Sequence, residues 1–186
     1  MIKLRHFLKN ISFVRTLYRV YRILFKATYF EDDIRVSKNI EFLNEDNFIK
    51  SKKIASTHLL TYEKCPDWRL HGELWAAAHA SNLDGDFVQC GVETGYTARA
   101  IIEYVKFYNY KNKKFFLFDT YEGIPAERVP DDEPAAFWNE YHNIYDFVCE
   151  KFGDFKNIKI VKGIVPDSLT DVKISKVSYL SIDMNY

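Results

Sequence analysis

The 186-residue chain balances 26 Lys and Arg against 26 Asp and Glu, so the charge of the whole molecule excludes a general polyanion binder. Apolar residues make up 47% and charged residues 28%, which supports one domain with a real core and excludes a disordered chain. Cys65, Cys90 and Cys149 lack metal-ligand spacing, and no apolar run reaches transmembrane or signal-peptide form; the expectation is a cytoplasmic protein with structural thiols.

Residues 2–27 contain neither Gly nor Pro. Leu4, Phe7, Ile11, Val14, Tyr18, Tyr21 and Phe25 follow a 3-4 spacing, which predicts one narrow seam along a helix. Lys9, Arg15, Arg19, Arg22 and Lys26 lie mostly off that seam. Three readings stay open: packing against the main domain or a second copy in a homo-oligomer, peripheral contact with an anionic membrane surface, and a nucleic-acid arm. Nothing else supports the third, and no nucleic-acid partner is expected. Residues 30–66 are polar and mixed and read as short helices and loops. The expected division is therefore a basic helical extension over 1–66 and a ligand-binding domain over 67–186.

Within that domain, 73–80 (ELWAAAHA) is helix-prone and SNLDG is a turn. Residues 87–90 predict a first strand and 97–107 a helix with Ala98, Ile101, Ile102 and Val105 facing inward. Residues 114–118 (KFFLF) predict a second strand. An acidic loop follows over 119–133, then a helix over 135–152 and a third strand over 158–161. Residues 168–174 are too short for a helix, and 177–182 (VSYLSI) predict a fourth strand. This order gives an open α/β sheet with mostly parallel strands.

In such a sheet ligands sit off the carboxyl ends of the strands, so Gly91, Asp119, Gly163 and Asp183 gather at one rim. The stretch GDFVQCGVETGYTA invites a dinucleotide reading. In G-x-G-x-x-G terms, however, the three glycine places hold Gly91, Glu93 and Tyr96. A carboxylate at the second place repels a pyrophosphate, and tyrosine at the third blocks close helix–strand packing. NAD is therefore not expected, nor, without a G-K-[ST] sequence, is a nucleoside triphosphate. Asp119, at the end of the second strand, can accept hydrogen bonds from both hydroxyls of a ribose, or simply cap a turn. A ligand with adenosine and no phosphate is S-adenosylmethionine, whose ammonium and sulfonium suit an acidic loop. Gly91 and Gly95 let the chain pass close beneath it.

The successive stretches GDFVQCGVETGYTARAI, FFLFDTYEGIP, VKGIVPDSL and VSYLSIDMNY resemble the motifs of the macrocin O-methyltransferase family, over roughly residues 70–186. The resemblance implies a Rossmann-like class I methyltransferase, a three-layer sandwich. It also implies transfer of a methyl group from S-adenosylmethionine to a sugar hydroxyl of a glycan or glycosylated metabolite, with a divalent metal such as Mg²⁺. Cofactor contacts are then expected from Gln89, Gly91, Glu93, Thr94, Gly95, Asp119, Thr120, Glu122, Gly163 and Ile164. Tyr121 and Gly123 share the loop beside the cofactor, and Gly163 and Ile164 flank the adenine. Asp183 would take the hydroxyl proton or ligate the metal. Three departures stand out. Gln89 occupies a place where the family has glutamate. Asp183-Met184-Asn185 replaces D-G-D. The sequence ends after four strands where the family continues with three more, which leads to the expectation of a truncated chain that binds cofactor weakly.

Two other functions remain open in the sequence. One is a non-catalytic domain used for membrane-surface or subunit interaction through the basic helix. The other is a nucleotide-sugar-modifying Rossmann enzyme, whose Tyr-x-x-x-Lys mark occurs at Tyr110 and Lys114, but in a loop. His58, His71, His79 and His142 show no ligand spacing. Trp68, Trp75 and Trp138 read as core anchors, with Trp138 placed to cover the site. Asp131, Asp132 and Glu133 read as a solvated loop or as a lid.

Overall fold

The computed structural model describes residues 16–17, 19–21, 29–31, 33–36, 39–59, 65–124 and 143–184. Most of the helical seam expected over 2–27, the acidic loop from 125 with Asp131, Asp132 and Glu133, Trp138, His142 and Asn185 lie outside the described residues. No described helix is long and apolar enough to cross a membrane.

The chain divides into two units, Met1–Leu43 and Asn44–Tyr186. In the first, β1 (Tyr29–Glu31) pairs antiparallel with β2 (Ile34–Val36). The turn between them places Asp33 at φ 62°, a conformation that Asp tolerates better than most residues. The sequence reading expected no strands here, because three-residue strands are too short for an alternating pattern to register.

The second unit is built on four parallel strands: β3 (Asp86–Cys90), β4 (Phe115–Asp119), β5 (Ile158–Lys162) and β6 (Val177–Ile182). Their order across the sheet is β5-β4-β3-β6. All four match the expected strands to within a residue at each end. The helices are α1 (Asp46–Ala55), α2 (Asp67–Ala80), α3 (Tyr96–Tyr104) and α4 (Tyr145–Phe152). The α1 helix falls within the second unit and packs on α3, burying Phe48, Ser51 and Ala55, whereas the sequence assigned everything up to residue 66 to the extension.

Both faces of the sheet carry apolar side chains, as parallel strands require. On one face Phe87, Phe115 and Tyr179 stand in register, with Phe107 4.9 Å from Phe87 between ring centroids. The α2 helix turns Leu70, Leu74, Ala77 and Ala80 inward at 3-4 spacing, and α3 buries Ala98, Ile101 and Ile102. On the other face Val88, Cys90, Phe116, Phe118 and Val161 cluster beneath Val165, Val172, Ile174 and Met184. Fully burying each such side chain contributes ~1.5–3 kcal/mol relative to exposure. Among the described residues β6 is an edge, and its Leu180 and Ile182, in register with Val88 and Cys90, are exposed.

His58 ties this scaffold to the loop after β3. It is 2% exposed, its ring lies 5.0 Å from that of Phe152, and its Nδ1 has no hydrogen-bond partner. Burial, then the nearby Arg99 charge, push its pKa down from 6.5 to about 4, against a raising hydrogen bond with the Thr94 backbone. As pH falls, the unfolded chain therefore takes up this proton first. The stabilising effect is complete above pH 6.5 and is lost as pH falls from 6.5 through 4. Partial solvent screening of the neighbouring charges leaves a loss on the order of 2 kcal/mol. Urea unfolding between pH 7 and 4 should show this loss, and His58→Leu should flatten that part of the profile. An unchanged profile in the variant would contradict the assignment.

Candidate functional site

The strand order places β4 and β5 on one side of β3 and β6 on the other. Loops leaving β3 and β6 diverge at that point, and the crevice opens beyond their carboxyl ends. Its floor is tight. The Gly91 N–H donates to the Phe118 carbonyl at 2.9 Å, and the Asp183 N–H donates to the Cys90 carbonyl at 2.8 Å. Gly91 has φ +84°, and a Cβ built on it would lie 2.0 Å from the Asp183 carbonyl oxygen. Only glycine allows the two backbones to approach in this way. Gly95 starts α3 at φ +85°.

Asp119 clasps the two loops that flank the crevice. Its Oδ2 accepts from the backbone N–H of Val92 at 2.6 Å and of Glu93 at 2.9 Å, and its Oδ1 accepts from the Tyr121 N–H at 2.8 Å. Glu93 and Tyr121 are both left-handed, at φ 53° and 56°. Such a conformation costs roughly 1–2 kcal/mol for a non-glycine residue, and a charged acceptor on the adjacent N–H offsets it. Tyr121 is further fixed by burial and by donating its hydroxyl to the Leu117 carbonyl at 3.0 Å.

Together these loops enclose a cleft of about 290 Å³, near the lower end of the ~300–1,000 Å³ usual for small-molecule sites. Of the residues expected from sequence, Gln89, Gly91, Glu93, Thr94, Gly163, Asp119, Thr120 and Asp183 line it. Thr94 is buried, and Thr120 donates its hydroxyl to the Gly123 carbonyl at 2.6 Å, closing the loop after β4. Gly95 stands behind the lining, where a Cβ would lie 2.4 Å from the Phe152 ring. Two further expected residues are not brought to the cleft. Glu122 turns to an ion pair with Lys162, and Val165, rather than Ile164, supplies the apolar wall.

Gln89 is 4% exposed; its Nε2 donates to the Gly91 carbonyl at 3.2 Å, and its Oε1 has no partner. A buried acceptor without a donor is costly; Gln89 is one of the cleft-lining residues, so a ligand N–H that reached Oε1 would remove that cost. Asp183 is paired by Arg69, which sequence reading did not single out; the two are 114 positions apart. A lone base near the start of a helix, opposite a rim of acids, is the signal that was available. Burial pushes the neighbouring Cys65 thiol up to about 11, although the Arg69 charge opposes the shift, so Cys65 stays a neutral thiol. Among the described residues no three His, Cys, Asp or Glu side chains group to hold a metal ion. Asp183 belongs to no such group among the described residues and is already paired with Arg69, so these residues do not fit the expected Mg²⁺.

A family model described as macrocin-O-methyltransferase (TylF) matches residues 69–186. No curated protein matches the sequence. Among solved structures, one described as that of the O-methyltransferase NovP superposes with a TM-score of 0.55 at 19% identity, covering 73% of this chain and 71% of that one. This supports the Rossmann-like fold. A second, the SAH-bound Podospora anserina methyltransferase PaMTH1, has a TM-score of 0.41 at 11% identity, over 69% of this chain and 46% of that one.

Proposed function

The chain belongs to the macrocin-O-methyltransferase family and is an S-adenosylmethionine-dependent methyltransferase; from that premise we propose that it methylates a sugar hydroxyl of a glycan or glycosylated metabolite. The observation that carries the reading is the acidic, glycine-floored cleft lined by Gln89, whose buried Oε1 has no hydrogen-bond partner. Such a cleft suits a cationic nucleoside without phosphate. Gln89 would accept from its ammonium. Asp119, beyond its three backbone donors, would accept from the ribose diol, and Gly163 and Val165 would border the adenine. When bound, S-adenosylmethionine supplies an electrophilic methyl group on a positive sulfur.

Asp183, which lines the cleft beside Gly91, would take the acceptor's hydroxyl proton. As that proton moves to the carboxylate, the hydroxyl oxygen bonds to the methyl carbon. The methyl carbon–sulfur bond of bound S-adenosylmethionine would break with its electron pair left on sulfur, giving S-adenosylhomocysteine. The cleft's contribution is to hold donor and acceptor in line, which can account for a large share of such a rate enhancement. Incubation with S-adenosylmethionine and a panel of glycosylated acceptors, read by mass spectrometry, should show gain of one methyl group on the sugar moiety. Methylation confined to acceptors without a sugar would contradict the substrate class.

A further inference from the structure

The cleft is acidic with one exception. Glu93, Asp119 and Asp183 line it, and Arg69 is its single cation among the described residues. Resting on the reading above, the ligand also carries a carboxylate, one carbon away from its ammonium. Gln89, Gly91, Asp183 and Arg69 form a continuous set: Gln89 donates to the Gly91 carbonyl, Gly91 backs onto the Asp183 backbone, and Asp183 pairs with Arg69. Gln89 and Arg69 both line the cleft, so an amino-acid group seated between them can set its ammonium toward Gln89 and its carboxylate toward Arg69.

We propose that Arg69 anchors the carboxylate of the cofactor, and that it holds Asp183 only until that carboxylate arrives. Arg69 meets Asp183 through one guanidinium nitrogen, Nη2, and both side chains are about half exposed, at 49% and 51%. A pair this exposed contributes ~0–1 kcal/mol, so it exchanges readily. An incoming carboxylate can engage two guanidinium N–H groups side by side, the stronger arrangement. The exchange links the two halves of the reaction: cofactor binding releases the Asp183 carboxylate, which then receives the acceptor's proton. Acceptor use is thereby ordered after cofactor binding.

Titration calorimetry on the full chain tests this with two ligands. S-adenosylhomocysteine carries the amino-acid end, and 5′-methylthioadenosine keeps the adenosine and thioether without it. Arg69→Gln should weaken S-adenosylhomocysteine roughly 10- to 100-fold, the loss of a charge-assisted contact, and leave methylthioadenosine unchanged. Arg69→Lys should restore part of the loss, because the charge remains without the fork. Asp183→Asn should tighten S-adenosylhomocysteine, since the competing anion is gone. If Arg69→Gln weakens neither ligand, or both alike, the anchor role is overturned and the proposed function stands. If it instead raises only the acceptor's KM, Arg69 reads an anionic acceptor and the proposal is likewise overturned. An unchanged or lower affinity in Asp183→Asn overturns the exchange. Wild-type protein that binds neither ligand overturns the underlying reading of the cleft, and the proposal with it.

Discussion

Asp119→Ala should abolish measurable S-adenosylhomocysteine binding and lower the stability of the chain by about 2–4 kcal/mol. The size follows from what the carboxylate does before any ligand arrives. It accepts three backbone N–H groups, from Val92, Glu93 and Tyr121, two of them in left-handed residues. Alanine leaves those donors unpaired and removes the compensation for two strained residues at once. Asp119→Asn keeps one acceptor oxygen but turns an NH₂ group toward one of the two loops, so donor faces donor there. It should retain more stability than alanine while still losing most of the affinity. Urea unfolding and calorimetry on both variants separate the two effects. Stability unchanged in Asp119→Ala would show that the clasp does not hold the loops.

Gly91→Ala should be the most damaging conservative change in the chain, at about 4 kcal/mol or more, or a failure to fold. The new Cβ would lie 2.0 Å from the Asp183 carbonyl oxygen and 2.7 Å from its carbonyl carbon. That obstacle is backbone, held by the Asp183 N–H bond to Cys90, and it cannot rotate away as a side chain could. The φ of +84° adds strain of its own. Gly72→Ala is the matched control: it lies inside α2 with nothing within 4 Å of the new carbon. It should stabilise the helix by roughly 0.5–1 kcal/mol. Thermal unfolding of the pair should shift in opposite directions, and a Gly91→Ala variant as stable as wild type would contradict the close approach of β3 and β6.

The sheet was legible because its strands are short apolar runs bounded by turn residues. KFFLF and VSYLSI announce strands buried on one or both faces. The rim was legible for the same reason, since placing four strands in parallel places their final residues together. The partners of those residues were not. Asp119 reads as a strand-end acid, yet its three donors are set by the left-handed Glu93 and Tyr121, residue types that give no hint of that conformation. Glu122 looked like a cofactor contact, but Lys162, 40 positions away, draws it aside. Arg69 escaped notice because its meaning depends on Asp183 across the fold. Periodicity reports which face a residue takes, whereas charge pairing over such separations is decided by packing that no local window contains.

The central claim is that the cleft at the ends of β3, β4 and β6 seats a phosphate-free adenosine cofactor and rejects a dinucleotide. Calorimetric titration of the unaltered chain with S-adenosylhomocysteine and, separately, with NAD⁺ tests it most directly. The account predicts saturable heat with S-adenosylhomocysteine and none with NAD⁺, because the cleft-lining Glu93 holds the place of the dinucleotide fingerprint's second glycine. Saturable heat with NAD⁺, or none with S-adenosylhomocysteine, would contradict it.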